Sequence, residues 1–139
     1  MREILFRGKT EAGKWVYGGY FETNNEIYIV EDTTNLIVFD IWNHAEFVIP
    51  ETVGQFTGLY DINGKKVFEG DILIWKNEKV KERNDGSIEY GAFNCECCEG
   101  VYGWYLTNGD IRNLKKNDFS DVFLKVIGNK YDNPELLKN

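Results

Sequence analysis

"TGLYDINGKKVFEGD", residues 57–71, is the stretch whose reading decides how this chain folds. Asn63-Gly64 at its centre is a strong hairpin signal, because a two-residue type I′ turn needs positive φ at both central positions, which Asn and Gly tolerate best. That loop would set Asp61 opposite Lys66, Tyr60 opposite Val67 and Leu59 opposite Phe68. The lysine–carboxylate pair would then be a surface contact worth roughly a few tenths of a kcal/mol. A three-residue loop with a bulge would shift this register. Further on, Glu69-Gly70-Asp71 interrupts the strand. Gly70 lets the backbone turn sharply and Asp71 can accept backbone N–H bonds at the corner, after which Ile72 and Ile74 face one side and Leu73 and Trp75 the other. The stretch reads as the corner of a small barrel, structural rather than catalytic.

Working outward, strand signals dominate. "KWVYGGYF" (14–21), "EIYIV" (26–30), "NLIVFD" (35–40) and "AEFVI" (45–49) are short, aromatic or β-branched, and separated by Asn, Asp, Thr and Gly. After Pro50 come "VGQFTGLY", "KKVFEGDILIW", "SIEYGAF", "VYGWYLTN" and "DVFLKVIGN", broken by turn signals such as "NDGS" (84–87) and "TNGD" (107–110). An all-β plan of short antiparallel strands follows. The clearest helical signal is "DNPELLKN" (132–139), with Asn133 as N-cap and Pro134 at the first helical position, enough for one or two turns. "RNLKKNDFSD" (112–121) is polar and weakly periodic and reads as a loop or a single turn. Pro50 divides the chain into two β-rich subdomains, 1–49 and 50–139, within a single domain, since neither has much core alone.

Composition limits the function. A chain of 139 residues with 42% hydrophobic and 15% aromatic content is globular rather than disordered. The net charge of −7 denies it the broad basic footprint of a protein that holds nucleic acid through phosphates. Apolar runs fall short of the roughly 20 residues a membrane span needs, and "MREILFRGKT" carries charges where a signal peptide needs an apolar core, so the cytoplasm is the expected compartment. Three cysteines cannot all pair within one chain, which fits a reducing environment.

Candidate chemistry is sparse. His44 is the single histidine, so any Ser-His-Asp or Cys-His arrangement must use it, yet nothing near it resembles a nucleophile on a sharp turn. Cys95, Cys97 and Cys98 contain a C-x-x-C pair that could hold zinc with His44, a carboxylate or another subunit as fourth ligand, but structural zinc sites add a second pair from a distant knuckle. Glu96 and Glu99 disfavour thiolates, which also argues against a thioredoxin-like role, and reduced free thiols are expected. Glu69 with Asp71, or Asp110 with Asp118 or Asp121, could form paired carboxylates or a magnesium site, though solvated turn acids are the ordinary outcome.

Three separated segments, "ILFRGKT…GKWVYGGY" (4–20), "IPETVGQFTGLYDINGKKVFEGDIL" (49–73) and "VIGNKYDNPELL" (126–137), resemble in order the pattern of the YopX family, small proteins encoded by phages and prophages of Gram-positive bacteria. The resemblance implies a phage-encoded cytoplasmic protein of mainly β fold whose part after Pro50 resembles an SH3-like barrel. It implies no reaction, no cofactor and no catalytic residues. Binding surfaces shared across the resemblance would involve the polar residues of its motifs: Arg7, Gln55, Glu69, Asp71, Asn129 and Asp132. The intervening "NDGSIEYGAFNCECCEGVYGWY" (84–105) falls where members of that family differ in length and content.

The resulting expectation is a non-enzymatic accessory protein that binds a protein partner or itself. Homo-oligomers would cover strand edges left by the two β-rich parts. The alternative is a single-stranded nucleic-acid-binding barrel, stacking bases on Trp15, Tyr17, Tyr20, Trp75, Trp104 and Tyr105 beside Arg7, Lys9 and Lys14 or Arg112, Lys115 and Lys116. A carboxylate- or metal-dependent enzyme ranks below both.

Overall fold

A computed structural model of the chain describes residues 4–31, 44–77, 80–95, 98–107 and 122–137. These residues form antiparallel β-strands and two short 3-10 turns, at Pro50–Thr52 and Pro134–Leu137. The chain divides into two compact units, Met1–Phe56 and Thr57–Asn139. The expected strand at 35–40 and the polar segment 112–121 lie outside the described residues.

In the first unit, β1 (Phe6–Lys9), β2 (Trp15–Thr23), β3 (Glu26–Val30) and β4 (Ala45–Val48) lie in the order β4-β3-β2-β1. The start of β5 (Gly54–Tyr60) flanks the other side of β1, with Gln55 opposite Phe6 and Gly54 opposite Arg7. Alternation sends Val16, Ile29 and Val48 to one face, where they are buried to 1% exposure or less and packed by Phe6, Ile27 and Val53. Each such side chain contributes about 1.5–3 kcal/mol on burial. The alternate positions Trp15, Tyr17, Phe21, Tyr28 and Phe47 go to the opposite face. Gly18 permits the approach of β3, since a Cβ there would sit 1.9 Å from the Val30 carbonyl oxygen.

Two hairpin loops share one construction. In Thr10-Glu11-Ala12-Gly13-Lys14, the Thr10 carbonyl accepts from Gly13 N, Thr10 N donates to the Lys14 carbonyl and Thr10 Oγ1 accepts from Lys14 N. In Asp61-Ile62-Asn63-Gly64-Lys65, the Asp61 carbonyl accepts from Gly64 N at 2.9 Å and Asp61 N donates to the Lys65 carbonyl at 2.8 Å. Asp61 Oδ1 accepts from both Asn63 N and Lys65 N at 2.9 Å. Each is a three-residue loop closed by a glycine at positive φ, +88° for Gly13 and +79° for Gly64.

This corrects the expected two-residue turn. Asp61 lies opposite Lys65, not Lys66, and it is 7% exposed rather than a surface partner of a lysine. The reason is local: the Asp61 carboxylate gathers the loop N–H groups, and only Gly64 of the Asn-Gly pair takes positive φ. The two-residue turn with positive φ at both positions occurs instead at Asn24 (φ 51°) and Asn25 (φ 64°), between the paired residues Thr23 and Glu26.

In the second unit, β5 continues beside β6 (Lys66–Phe68). A four-stranded sheet follows in the order β10-β7-β8-β9, from β10 (Val122–Asn129), β7 (Asp71–Asn77), β8 (Val80–Cys95) and β9 (Cys98–Leu106). Val67, Leu73, Ile88 and Val126 form its core, with Leu59 packed against them. "NDGS" is not the turn expected of it: β8 runs through it as a bulge, Gly86 facing Leu73 and Asn84 facing Ile74, with Asp85 the extra residue. Asn133 Oδ1 accepts from Asn129 N, while its carbonyl accepts from Leu136 N to close the terminal 3-10 turn.

Candidate functional site

The strand break at Glu69-Gly70-Asp71 becomes a crossing point of three strands. Gly70 N donates to the Ile88 carbonyl at 2.7 Å and the Gly70 carbonyl accepts from Lys130 N at 2.9 Å. Asp71, 1% exposed, uses Oδ2 to accept from Phe68 N at 2.8 Å. Asp71 is also the register partner of Asn129 on β10. Asn129 Oδ1 accepts from Tyr131 N and Asp132 N, and its Nδ2 donates to Asp132 Oδ2 at 3.2 Å. The second unit therefore brings Glu69, Asp71, Asn129 and Asp132 to one corner, where the last three shape the backbone. Arg7 and Gln55, the other two candidates, sit in the first unit on neighbouring strands β1 and β5.

Residues that the sequence did not single out complete the corner. Lys130 Nζ donates to Glu89 Oε1 at 2.8 Å, and Ser87 Oγ donates to the same oxygen at 3.0 Å. The Lys130 ammonium also lies 5.2 Å from the Tyr131 ring centroid, and that ring covers Gly70, where a Cβ would lie 3.0 Å from Cε2. Burial works against the Lys130 charge, but the hydrogen bond and negative charge of Glu89 outweigh it, so the ammonium titrates above its ordinary value. Burial raises the Tyr131 phenol, with Glu89 and Glu69 adding to the effect against the opposing pull of Lys130. The Glu89 carboxylate thus faces the Lys130 ammonium and the Ser87 hydroxyl together. The arrangement supplies a clamp between β8 and the residue that follows β10.

The first unit presents a different kind of surface. Phe21 and Tyr28, directly opposite on β2 and β3, stack with centroids 5.3 Å apart, and Tyr28 meets Phe47 of β4 edge-on at 5.9 Å. Farther along the same face, the Arg7 guanidinium lies 4.6 Å from the Trp15 ring centroid, with Tyr17 opposite Arg7. Tyr17 is 44% exposed and Phe47 37%. Tyr28 OH donates to Glu26 Oε2, and Tyr20 OH, on the other face, donates to Glu22 Oε2 at 3.0 Å; these hydrogen bonds raise both phenols. An aromatic row ending on β4, the outermost of the described strands of its sheet, is a surface suited to stacking or to a protein contact.

The remaining candidates are dispersed. His44 is exposed, immediately before β4. Cys95 and Cys98 are register partners at the end of the β8–β9 ribbon, while Cys97 lies outside the described residues, as do Asp110, Arg112, Lys115, Lys116, Asp118 and Asp121. Trp75, Trp104 and Tyr105 fall on β7 and β9. Among the described residues no group of three or more His, Cys, Asp or Glu is placed to hold a metal, and no helix is long and apolar enough to cross a membrane.

Comparison with known proteins decides the family, because the YopX protein family matches residues 5–138. The chain belongs to the YopX family. No curated protein matches it. Among solved structures, this YopX chain is similar to the crystal structure of protein EF1440 from Enterococcus faecalis, with a TM-score of 0.50 and 22% identity over 99% of this chain and 100% of that one. Identity at that level carries the fold alone.

Proposed function

We propose that this YopX protein is a non-enzymatic protein-interaction module that binds a partner protein or a second copy of itself through the aromatic face of the first unit. The observation that carries the reading is the Phe21–Tyr28–Phe47 row, which runs onto β4, outermost among the described strands of its sheet, with Phe47 partly exposed. Aromatic side chains supply large, rigid contact area, and an edge strand offers backbone groups to a partner. In the corner of the second unit, Asp71 accepts from Phe68 N, Glu89 accepts from Lys130 and Ser87, and Asp132 accepts from the Asn129 amide, so these three carboxylates serve the local structure.

The setting proposed with it is the cytoplasm of a bacterial host carrying the protein on a phage or prophage. Single-stranded nucleic acid is the alternative ligand, favoured by Lys9 beside the aromatic face; against it stand the burial of Arg7, 4% exposed, and the exposed Glu22, Glu26, Glu31 and Glu46 in the same unit. Sedimentation velocity over a hundredfold concentration range tests self-association. The expected result is a concentration-dependent shift to a larger species, abolished by Phe47→Ser; a monomer throughout leaves a heterologous protein as the partner to be found by capture. Loss of all captured material on nuclease treatment overturns the protein-binding reading.

A further inference from the structure

We propose that the partner of the aromatic face is an arginine-rich segment of another protein, seated on the sheet of the first unit at Gly19. The inference rests on the interaction reading above and narrows it to a partner of stated charge and chemistry.

The first observation is a gap in the face. Trp15, Tyr17, Gly19 and Phe21 follow one another on the same side of β2, and Gly19 lies opposite Val30, which in turn faces Ala45. Gly19 is exposed, and a Cβ there would meet no atom within 4 Å. Alternate residues of a strand are spaced about 6.5–7 Å apart, so Tyr17 and Phe21 stand on either side of a low floor open to a side chain from outside. Tyr17 is exposed on one side of that floor, and Phe47 in the aromatic row on the other.

The second observation is charge. Between Lys14 and Lys65 the sequence contains no Lys or Arg, whereas the same stretch carries eight Asp or Glu. Of these, Glu22, Glu26, Glu31 and Glu46 are exposed on β2, β3 and β4 or next to them. Glu26 shares the aromatic face with Tyr28, and Glu22 and Glu46 take alternate positions on the neighbouring strands. A field of this sign repels phosphates and a second copy of the same face, and draws in cations.

Guanidinium groups satisfy both observations. They are planar and weakly hydrated, stack on aromatic rings and donate to carboxylates in the same pose, whereas an ammonium brings the charge without the plane. The face already holds one such contact within the chain, the Arg7 guanidinium 4.6 Å from the Trp15 ring centroid.

The test is a nuclear magnetic resonance titration of the full chain with acetyl-Arg-Gly-Arg-Gly-Arg-amide and with the peptides that carry Lys or Gln in place of Arg. The arginine peptide is expected to bind saturably, with amide shifts concentrated in 17–21, 28–31 and 45–47. Binding should be at least threefold weaker for the lysine peptide, undetectable for the glutamine peptide, and at least tenfold weaker at about 300 mM than at about 50 mM salt. The Glu22→Gln/Glu26→Gln/Glu46→Gln variant, changed only at exposed positions, should lose at least tenfold in affinity. No saturable binding, equal binding of the arginine and glutamine peptides, shifts spread over both units, or tighter binding of oligothymidylate would each overturn the inference. Capture from lysate separates this failure from failure of the underlying reading. A protein lost with Phe47→Ser but kept by the glutamine variant would overturn the arginine-rich partner alone, and a protein kept by both would overturn the aromatic face as a binding surface.

Discussion

Asp61 Oδ2 accepts a hydrogen bond from Val126 N at 3.1 Å, joining the β5–β6 loop to strand β10 across 65 residues of sequence. With Oδ1 already holding Asn63 N and Lys65 N, one buried carboxylate satisfies three backbone donors. Charge-assisted bonds of this kind are the strong ones, and losing their acceptor leaves buried N–H groups unpaired.

Asp61→Ala is therefore expected to destabilise the protein by about 3 kcal/mol, measured as a lower urea midpoint at unchanged slope. The corresponding Thr10→Ala change, which removes the acceptor for a single N–H, should cost about 1 kcal/mol. Equal losses at the two sites would contradict the role assigned to Asp61.

The glycines give a second ranking. Gly64→Ala forces an L side chain into left-handed backbone with open space around it, at a cost of about 1–2 kcal/mol. Gly18→Ala would put a Cβ 1.9 Å from the Val30 oxygen, so β3 must move away from β2. The prediction is a larger loss of stability for Gly18→Ala, with faster amide exchange concentrated in 19–30.

The Glu89–Lys130 clamp predicts an alkaline effect. A lysine whose folded pKa is raised contributes stability that is fully present below the unfolded value, ordinarily 10.5, and is lost as pH rises through the folded one. Tyr131 acts with the same sign from its ordinary value of 10.0. Because the ion pair is partly exposed, its share is about 0.5 kcal/mol after screening. Urea midpoints of the wild type and Glu89→Gln should differ at pH 8 and converge above the lysine's raised pKa; a constant difference would remove the ion pair from the account.

Much of this was legible in the sequence. The period-2 runs at 14–21, 26–30 and 45–49 match β2, β3 and β4, because each alternates a core residue such as Val16, Ile29 or Val48 with an outward aromatic or polar one. The Gly70–Asp71 corner followed from the incompatibility of Glu-Gly-Asp with a continuous strand. The loop register is not legible from Asn-Gly alone, because it depends on Asp61, two positions before Asn63. Comparing T-E-A-G-K at 10–14 with D-I-N-G-K at 61–65 would have exposed the shared pattern of an acceptor side chain three residues before a glycine. Glu89, Lys130 and Tyr131 were hidden for another reason: 41 residues separate Glu89 from Lys130, and only the packing of β8 against the end of β10 brings them together.

Phe47 offers a way to separate binding from folding. It is partly exposed and its edge contact with Tyr28 is worth about 1 kcal/mol, so Phe47→Ser should leave the protein folded while weakening the aromatic face. Collapse of the fold in this variant, seen by circular dichroism, would place Phe47 in the structural core instead.

The most direct test of the central claim is capture with tagged protein from the lysate of a lysogenic host after nuclease treatment, comparing the wild type with the Tyr17→Ser/Phe47→Ser variant. The account predicts one protein recovered with the wild type in stoichiometric amount, or a second untagged copy of the chain, and its loss with the folded variant. Equal recovery by both proteins would contradict a binding role for the aromatic face.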